Sequence, residues 1–233
     1  MGMAYRELPP PPELAHLVRC VWIHELRGGE NPVLPDGCTD LIVIDGAASV
    51  AGPDTRPVPV THAPGAVVAG VRFHPGAASA ALGVPTDELR DRRVPLGALW
   101  GDAVAAAVAD RGTGDPVALA RALLGRLGGV EDPDARVRAA ARQLSRAPAT
   151  PLPALAGAVD LGERQLRRRF AAAVGYGPKT FARVVRFRAA LGLVRGGAAL
   201  AEAALATGYA DQAHMTREMR SLAGVPPGAL APR

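Results

Sequence analysis

Arg164, Arg167 and Arg168 stand within a run, Glu163–Val174, whose apolar residues Leu166, Phe170 and Val174 recur at helical spacing. At about 100° per residue the apolar three share one side of a helix and the arginines project from the other. A face serving only solubility would mix Lys, Glu and Arg. This one is all arginine, with Glu163 at the N-terminal end, where the helix dipole favours an acid. Like charges one turn apart cost helix stability, and a polyanion offsets that cost. A second run, Gln212–Ala223, turns Met215, Met219 and Leu222 to one side and leaves Gln212, Ala213, Thr216, Arg217 and Arg220 outward, with His214 at the edge. This set is chemically varied. Gln pairs bidentately with adenine, Arg with guanine, and Ala or Thr methyls meet the thymine methyl. Arg220, with Lys179 between the two runs, is expected to touch phosphate. A solvated polar face is the plain alternative for either helix alone; two such helices in one chain favour a nucleic-acid role.

Other chemistry is weaker. Cys20, His24, Cys38, His62 and His74 suggest a metal site or a thiol nucleophile. Cys20 and His24 share a strand face but stand roughly 13 Å apart, too far to chelate one ion unless the strand bends. Buried Cys and surface His are the simpler reading, and Cys38 as a nucleophile would need an adjacent base. Neither Gly-x-x-x-x-Gly-Lys-Ser/Thr nor Gly-x-Gly-x-x-Gly occurs, so nucleotide binding has no support. Asp36, Asp40 and Asp45 read as turn and strand-end residues. No cofactor and no metal are expected, and no enzymatic activity. The alternative kept open is small-molecule binding, or a thiol- or metal-dependent activity, in the N-terminal part, attached to a helical interaction module.

The elements that must hold these residues are legible in outline. Tyr5 to about Phe73 runs in short β-prone pieces, Val18–His24, Asp40–Ile44, Val58–Thr61 and Ala66–Phe73, punctuated by Pro-Asp-Gly, Asp-Gly and Gly-Pro-Asp. From Gly76 to Gly129 the pattern turns helical: Thr86 is expected to cap one helix, Leu96–Ala109 to form another, and Asp115-Pro116 to start a third. Gly128–Glu131 reads as a linker, and Asp132-Pro133 repeats the start signal for a helix bearing Val137, Ala141 and Leu144. Two segments then share one plan: Leu152–Val159, a turn at Asp160-Leu161-Gly162 and Glu163–Val174; Ala199–Ala206, a turn at Thr207–Ala210 and Gln212–Ala223, with Asp211 as cap. Both follow the helix-turn-helix layout, with Asp160 or Gly208 as the left-handed residue. Between them Pro178 suits a first helical turn, and Thr180–Arg195 is apolar around much of its circumference, as for a buried helix.

Composition agrees. The chain has 233 residues, 48% of them hydrophobic and 4% aromatic, with Gly 27, Pro 22 and Cys 2, so a large core of Ala, Val and Leu is expected and a disulfide scaffold is not. The formal charge of +5 is unevenly placed: acidic residues exceed basic ones by five over 1–132, and basic exceed acidic by ten over 133–233. Arginine bias in the coding DNA would enrich both halves, so the split points to a nucleic-acid-binding module beside a non-binding domain. The N-terminus lacks an export or transit pattern, and Pro57–Val71, a long stretch without charges, is too short and Pro-broken to cross a bilayer. A cytoplasmic location and no membrane partner are expected.

Leu161-Gly-Glu-Arg-Gln-Leu-Arg-Arg-Arg-Phe170, Gly175-x-x-Pro-x-x-Phe181, and Gly208-Tyr-Ala-Asp-Gln-Ala-His-Met-Thr-Arg-Glu-Met219 followed by Gly224-Val-Pro-Pro-Gly228 resemble the DNA-binding domain of AraC/XylS-type bacterial transcriptional regulators. The resemblance covers about Asp132 to Leu230. It implies two helix-turn-helix units joined by a central helix, with base-contacting positions at Arg164, Arg167 and Arg168 and at Gln212, Ala213, His214, Thr216 and Arg217. The sequence departs from the family's pattern at Gly162 in place of the usual Ser N-cap, at Asp160 in place of the turn Gly, and at Met219 in place of a core Phe. Leu34-Pro-Asp-Gly-Cys-Thr-Asp-Leu41, Gly70-Val-Arg-Phe-His-Pro-Gly-Ala77 and Val94–Gly101 resemble, less specifically, sensory domains found ahead of such modules.

The expected fold is therefore an α+β N-terminal domain over 1–130, sheet-rich and then helical, followed by an all-α domain over 131–233. The expected role is a sequence-specific DNA-binding transcription regulator that inserts two recognition helices into successive major-groove segments and is modulated through its N-terminal domain. Double-stranded DNA is the expected partner. A small-molecule effector, a homodimer and, for an activator, RNA polymerase complete the expected set.

Overall fold

The computed structural model describes residues 5–26, 28–30, 32–130 and 133–230. Its strands are β1 (Arg6–Leu8), β2 (Val18–Glu25), β3 (Gly29–Glu30), β4 (Asp40–Ile44), β5 (Ala47–Ala51), β6 (Thr61–His62), β7 (Val67–Phe73) and β8 (Arg93–Pro95). Six form an antiparallel sheet in the order β1-β2-β7-β4-β5-β8, while β3 pairs with β6. Because side chains alternate along a strand, register fixes the faces. Val21, Val71, Leu41, Val50 and Val94 stand side by side across five strands, and all are buried. The next row on the other face sets Trp22 against Gly70, where an added Cβ would overlap the indole. Gly70 is thus a strand glycine required by close approach.

The helices α1 (Ala78–Leu82), α2 (Leu96–Trp100), α3 (Asp102–Gly112) and α4 (Pro116–Leu127) share one apolar core with the sheet. Asp115 caps α4 as expected, accepting from the N–H groups of Val117 and Ala118 at 2.9 and 3.0 Å. Three expectations need correction. The helix expected over Leu96–Ala109 is two helices, because Gly101 adopts φ 85° and ψ 150°, a backbone state that stops one helix and starts the next. The expected strand Val58–Thr61 reduces to a bridge between Val33 and Val58 and the two residues of β6; Pro57 and Pro59 lack the N–H a ladder needs. Thr86 opens a short 3₁₀ turn, Thr86–Leu89, without capping it, and its hydroxyl bonds elsewhere.

The C-terminal part contains α5 (Ala135–Arg146), α6 (Leu152–Ala158), α7 (Glu163–Val174), α8 (Pro178–Arg195), α9 (Leu200–Ala206) and α10 (Gln212–Ala223). The N-cap of α5 is Asp134, accepting from Arg136 and Val137, while the expected start residue Asp132 lies outside the described residues. Leu144, Leu155, Leu166, Phe170, Phe187, Met215 and Met219 belong to a second apolar core, in which the Phe170 and Phe181 rings meet edge-on, 5.6 Å between centroids. Helix α8 runs through that core, with Phe181, Val184, Phe187, Leu191 and Val194 buried. It is the buried strut that its apolar circumference implies.

The two cores touch along α7. The Thr86 hydroxyl, fully buried, donates to the Ala173 carbonyl at 3.0 Å. Gly175, at φ 99°, ends α7 where a Cβ would overlap Pro53 and crowd Thr86. Beyond it the buried Tyr176 hydroxyl has no hydrogen-bond partner among the described residues, and both it and the Phe181 ring approach Gly37.

Candidate nucleic-acid interface

Each helix-turn-helix unit is set by a single left-handed residue. In the first, Asp160 adopts φ 51°, and Arg136 donates to its carbonyl at 3.0 Å while pairing with its carboxylate at 3.4 Å. Asp tolerates this conformation better than most residues, so the departure from glycine is supported locally. Gly162 then occupies the N-cap of α7 with no side-chain bond to the helix, a modest loss. In the second unit Gly208 takes φ 74°, and the Asp211 carboxylate accepts from His214 N–H at 2.6 Å. Met219, fully buried, fills the place of the aromatic residue.

The cores of both recognition helices lie where their periodicity puts them: Leu166, Phe170 and Val174, and Met215, Met219 and Leu222, are all buried. Arg164, Arg167, Arg168, Gln212, Ala213 and Arg217 are exposed, as are Lys179 and Arg220. His214 and Thr216 are half-buried. His214 leans back on its own turn: Nδ1 accepts from Ala210 N–H at 3.5 Å, and its ring meets Tyr209 edge-on at 5.3 Å. Arg167 pairs with Glu163 one turn before it at 3.3 Å, a solvent-exposed contact worth little.

Three further arginines had no assigned role in the sequence. Arg169 binds Asp134 through Nε and Nη2, at 2.7 and 2.6 Å, so one carboxylate both caps α5 and holds α7. Arg183 of α8 grips Glu218 of α10 through Nε and Nη2 at 2.8 and 3.0 Å. Those hydrogen bonds hold the Glu218 carboxyl below the usual range. Arg186, one turn further along α8, lies over the Tyr209 ring, 5.0 Å from its centroid. Arg169–Asp134 and Arg183–Glu218 each join residues 35 positions apart, so no local pattern announces them. Between the two units lies a groove of about 1110 Å³ to which Arg167, Lys179, Arg183, Arg186, His214 and Glu218 contribute. Both recognition helices therefore border one basic depression.

The N-terminal sheet carries a different cluster. Arg72 on β7 binds Asp40 through Nε and Nη2 at 3.0 and 2.8 Å and reaches Asp36 at 2.9 Å. The motifs around Asp36–Asp40 and around Arg72 thus meet in space, which makes Asp36 and Asp40 more than turn residues. Cys20 and Cys38 are both free and buried. Burial pushes the Cys20 thiol up to about 11 and that of Cys38 further. A thiolate nucleophile needs the opposite shift. Among the described residues no group of three or more His, Cys, Asp or Glu is placed to hold a metal ion, and no helix is long and apolar enough to cross a membrane.

Residues 6–95 match a domain of unknown function, DUF6597, and residues 155–233 match a helix-turn-helix domain. No curated protein matches the chain. Among solved structures, a probable AraC family transcriptional regulator from Rhodopseudomonas palustris CGA009 is 25% identical over 42% of this chain and 94% of its own, with a TM-score of 0.38. ToxT from Vibrio cholerae O395, bound to (E)-4-(8-methylnaphthalen-1-yl)but-3-enoic acid, is 9% identical over 98% of each chain, with a TM-score of 0.50. That last likeness is one of fold. With the three C-terminal motifs built into two helix-turn-helix units on a shared strut, and with 155–233 matching the helix-turn-helix model, the C-terminal region is an AraC-type helix-turn-helix domain behind a DUF6597 domain, and the chain is a DNA-binding transcription regulator.

Proposed function

We propose that the chain recognises specific DNA by placing α7 and α10 in successive major-groove segments on one side of the duplex, about 34 Å apart. The observation that carries this reading is the shared groove: Arg167 of α7 and His214 of α10 line the same depression over α8. Arg164, Arg167 and Arg168 supply the guanidinium contacts of the first helix. Gln212, Ala213, His214, Thr216 and Arg217 supply the mixed readout of the second, and Lys179 and Arg220 touch phosphate. In this reading 131–233 is the DNA-binding domain and 1–130 the effector-binding or dimerisation domain. It acts through the contact with α7, where Thr86 meets Ala173 and Pro53 meets Gly175. The N-terminal domain is non-catalytic, with both thiols held protonated by burial. The protein works in the cytoplasm, with a second copy and, for activation, RNA polymerase as partners.

Selecting fragments of the parent genome on the purified protein tests the reading. The expected result is a recurring motif with two elements about one helical turn apart. Recovery of fragments without any shared motif would sink it.

A further inference from the structure

Two major-groove segments on one face of a duplex are separated by a minor groove, and the sugar-phosphate strands bordering it pass between the recognition helices. In this protein they would pass over the groove floored by α8, so the side chains there meet the backbone if α7 and α10 dock as proposed. The groove contains Arg183, Arg186 and Glu218. Glu218 would repel phosphate, but Arg183 covers it with two hydrogen bonds and is itself neutralised. Arg186 differs. Glu218 feels its charge, but no described carboxylate forms an ion pair with it, and its Nε is buried without a hydrogen-bond partner among the described residues. Its guanidinium carbon lies over the ring of Tyr209, 5.0 Å from the centroid, and that ring is buried. A cation held against a buried ring loses less freedom when it meets an anion than one free in solvent.

We propose that Arg186 is a DNA-contacting residue that seats a backbone phosphate between the two recognition elements, held ready by Tyr209, while Arg183 serves as the positioning residue that masks Glu218. The inference rests on the docking of α7 and α10 set out above. It adds a contact that belongs to neither recognition helix and is therefore blind to base sequence.

The test measures binding of the full chain by fluorescence anisotropy across a salt series. It uses a duplex recovered by the genomic selection and a scrambled duplex, with wild type, Arg186→Ala, Arg186→Lys and Arg168→Ala. Each neutralised phosphate contributes about 0.9 to the slope of log K against log salt. Arg186→Ala is expected to flatten that slope by about this amount on both duplexes, with Arg186→Lys restoring it and Arg186→Ala still folded, its circular dichroism matching wild type at the assay temperature. An unchanged slope for Arg186→Ala beside weakened binding by Arg168→Ala would overturn the Arg186 contact and leave the docking of α7 intact. A loss confined to the selected duplex would overturn the phosphate assignment in favour of base reading. Failure of wild type to prefer the selected duplex would remove the docking and the inference together.

Discussion

The two helix-turn-helix units share a plan and differ in what surrounds them and in what they present. The first is clasped from behind: α7 rests on the Thr86–Leu89 turn, bonds to Thr86 and ends against Pro53. In the second, Pro57 of the N-terminal domain approaches Gly224 at the end of α10. The exposed residues of α7 are three arginines with Glu163 and Gln165, whereas the face of α10 mixes amide, hydroxyl, methyl and guanidinium groups. A face dominated by guanidinium groups suits guanine or phosphate recognition, and a more varied one suits discrimination among bases. The arginine-rich unit is thus also the one that the N-terminal domain clasps.

Each unit ends its recognition helix on a left-handed glycine, Gly175 at φ 99° and Gly224 at φ 75°. That gives the sharpest comparison of the two surroundings. A Cβ at Gly175 would overlap Pro53 from the opposite domain, while at Gly224 it would stand 3.2 Å from the Pro57 ring. We expect Gly175→Ala to cost about 3 kcal/mol, from left-handed strain plus overpacking, and Gly224→Ala about 1 kcal/mol, mostly strain. Chemical denaturation of the two variants measures this. Equal losses would mean that the clasp at α7 is loose.

For the exposed faces, removal of a base-reading side chain is worth about 1–3 kcal/mol of specific binding. Arg168→Ala and Gln212→Ala should both fall in that range on the selected site. They should differ in what is lost: Gln212→Ala relaxes preference at an adenine position, and Arg168→Ala at a guanine. Repeating the fragment selection with each variant reads this directly. A Gln212→Ala protein with unaltered site preference would remove α10 from the discriminating role.

Sequence periodicity made the buried and exposed sides of α7 and α10 legible and little of the clasp. Helix periods, a left-handed residue at Asp160 or Gly208 and the cap at Asp211 are all local signals. Strand β5, Ala47–Ala51, has weak strand propensity and exists because β4 and β8 pair with it from either side. The two helices in place of Leu96–Ala109 follow from one residue, Gly101, whose side-chain-free backbone is a hinge only in three dimensions. Thr86 reads as a cap because Thr before Asp-Glu fits that pattern; the structure uses its hydroxyl 87 positions away, on Ala173. The Arg72 cluster likewise joins segments 32 and more residues apart. Contacts of that range leave no period to detect.

The Thr86 bond is the next point at which the clasp can be weakened. Thr86→Val keeps the shape and removes the donor, leaving the Ala173 carbonyl buried without it. The expected loss is about 1–2 kcal/mol of stability. A thermal melt would place it, and a loss under a few tenths would show that the carbonyl finds another partner.

The smallest expected effect belongs to the second unit, whose tie to the strut is ionic. Hydrogen bonds from Arg183 lower the pKa of Glu218 in the folded protein. An acid with a lowered folded pKa contributes stability above its unfolded value, about 4.3, and loses that contribution as pH falls through the folded value. Glu218→Gln removes the charge at every pH. It should therefore reduce stability by about 0.5–1 kcal/mol at pH 7, as expected for a partly exposed pair, and by progressively less as the solution is acidified below pH 4. Parallel stability curves for the two proteins between pH 3 and pH 7 would show that α10 is held by its apolar face alone. The second unit would then be joined to α8 as the first is joined to the N-terminal domain, by packing and neutral hydrogen bonds.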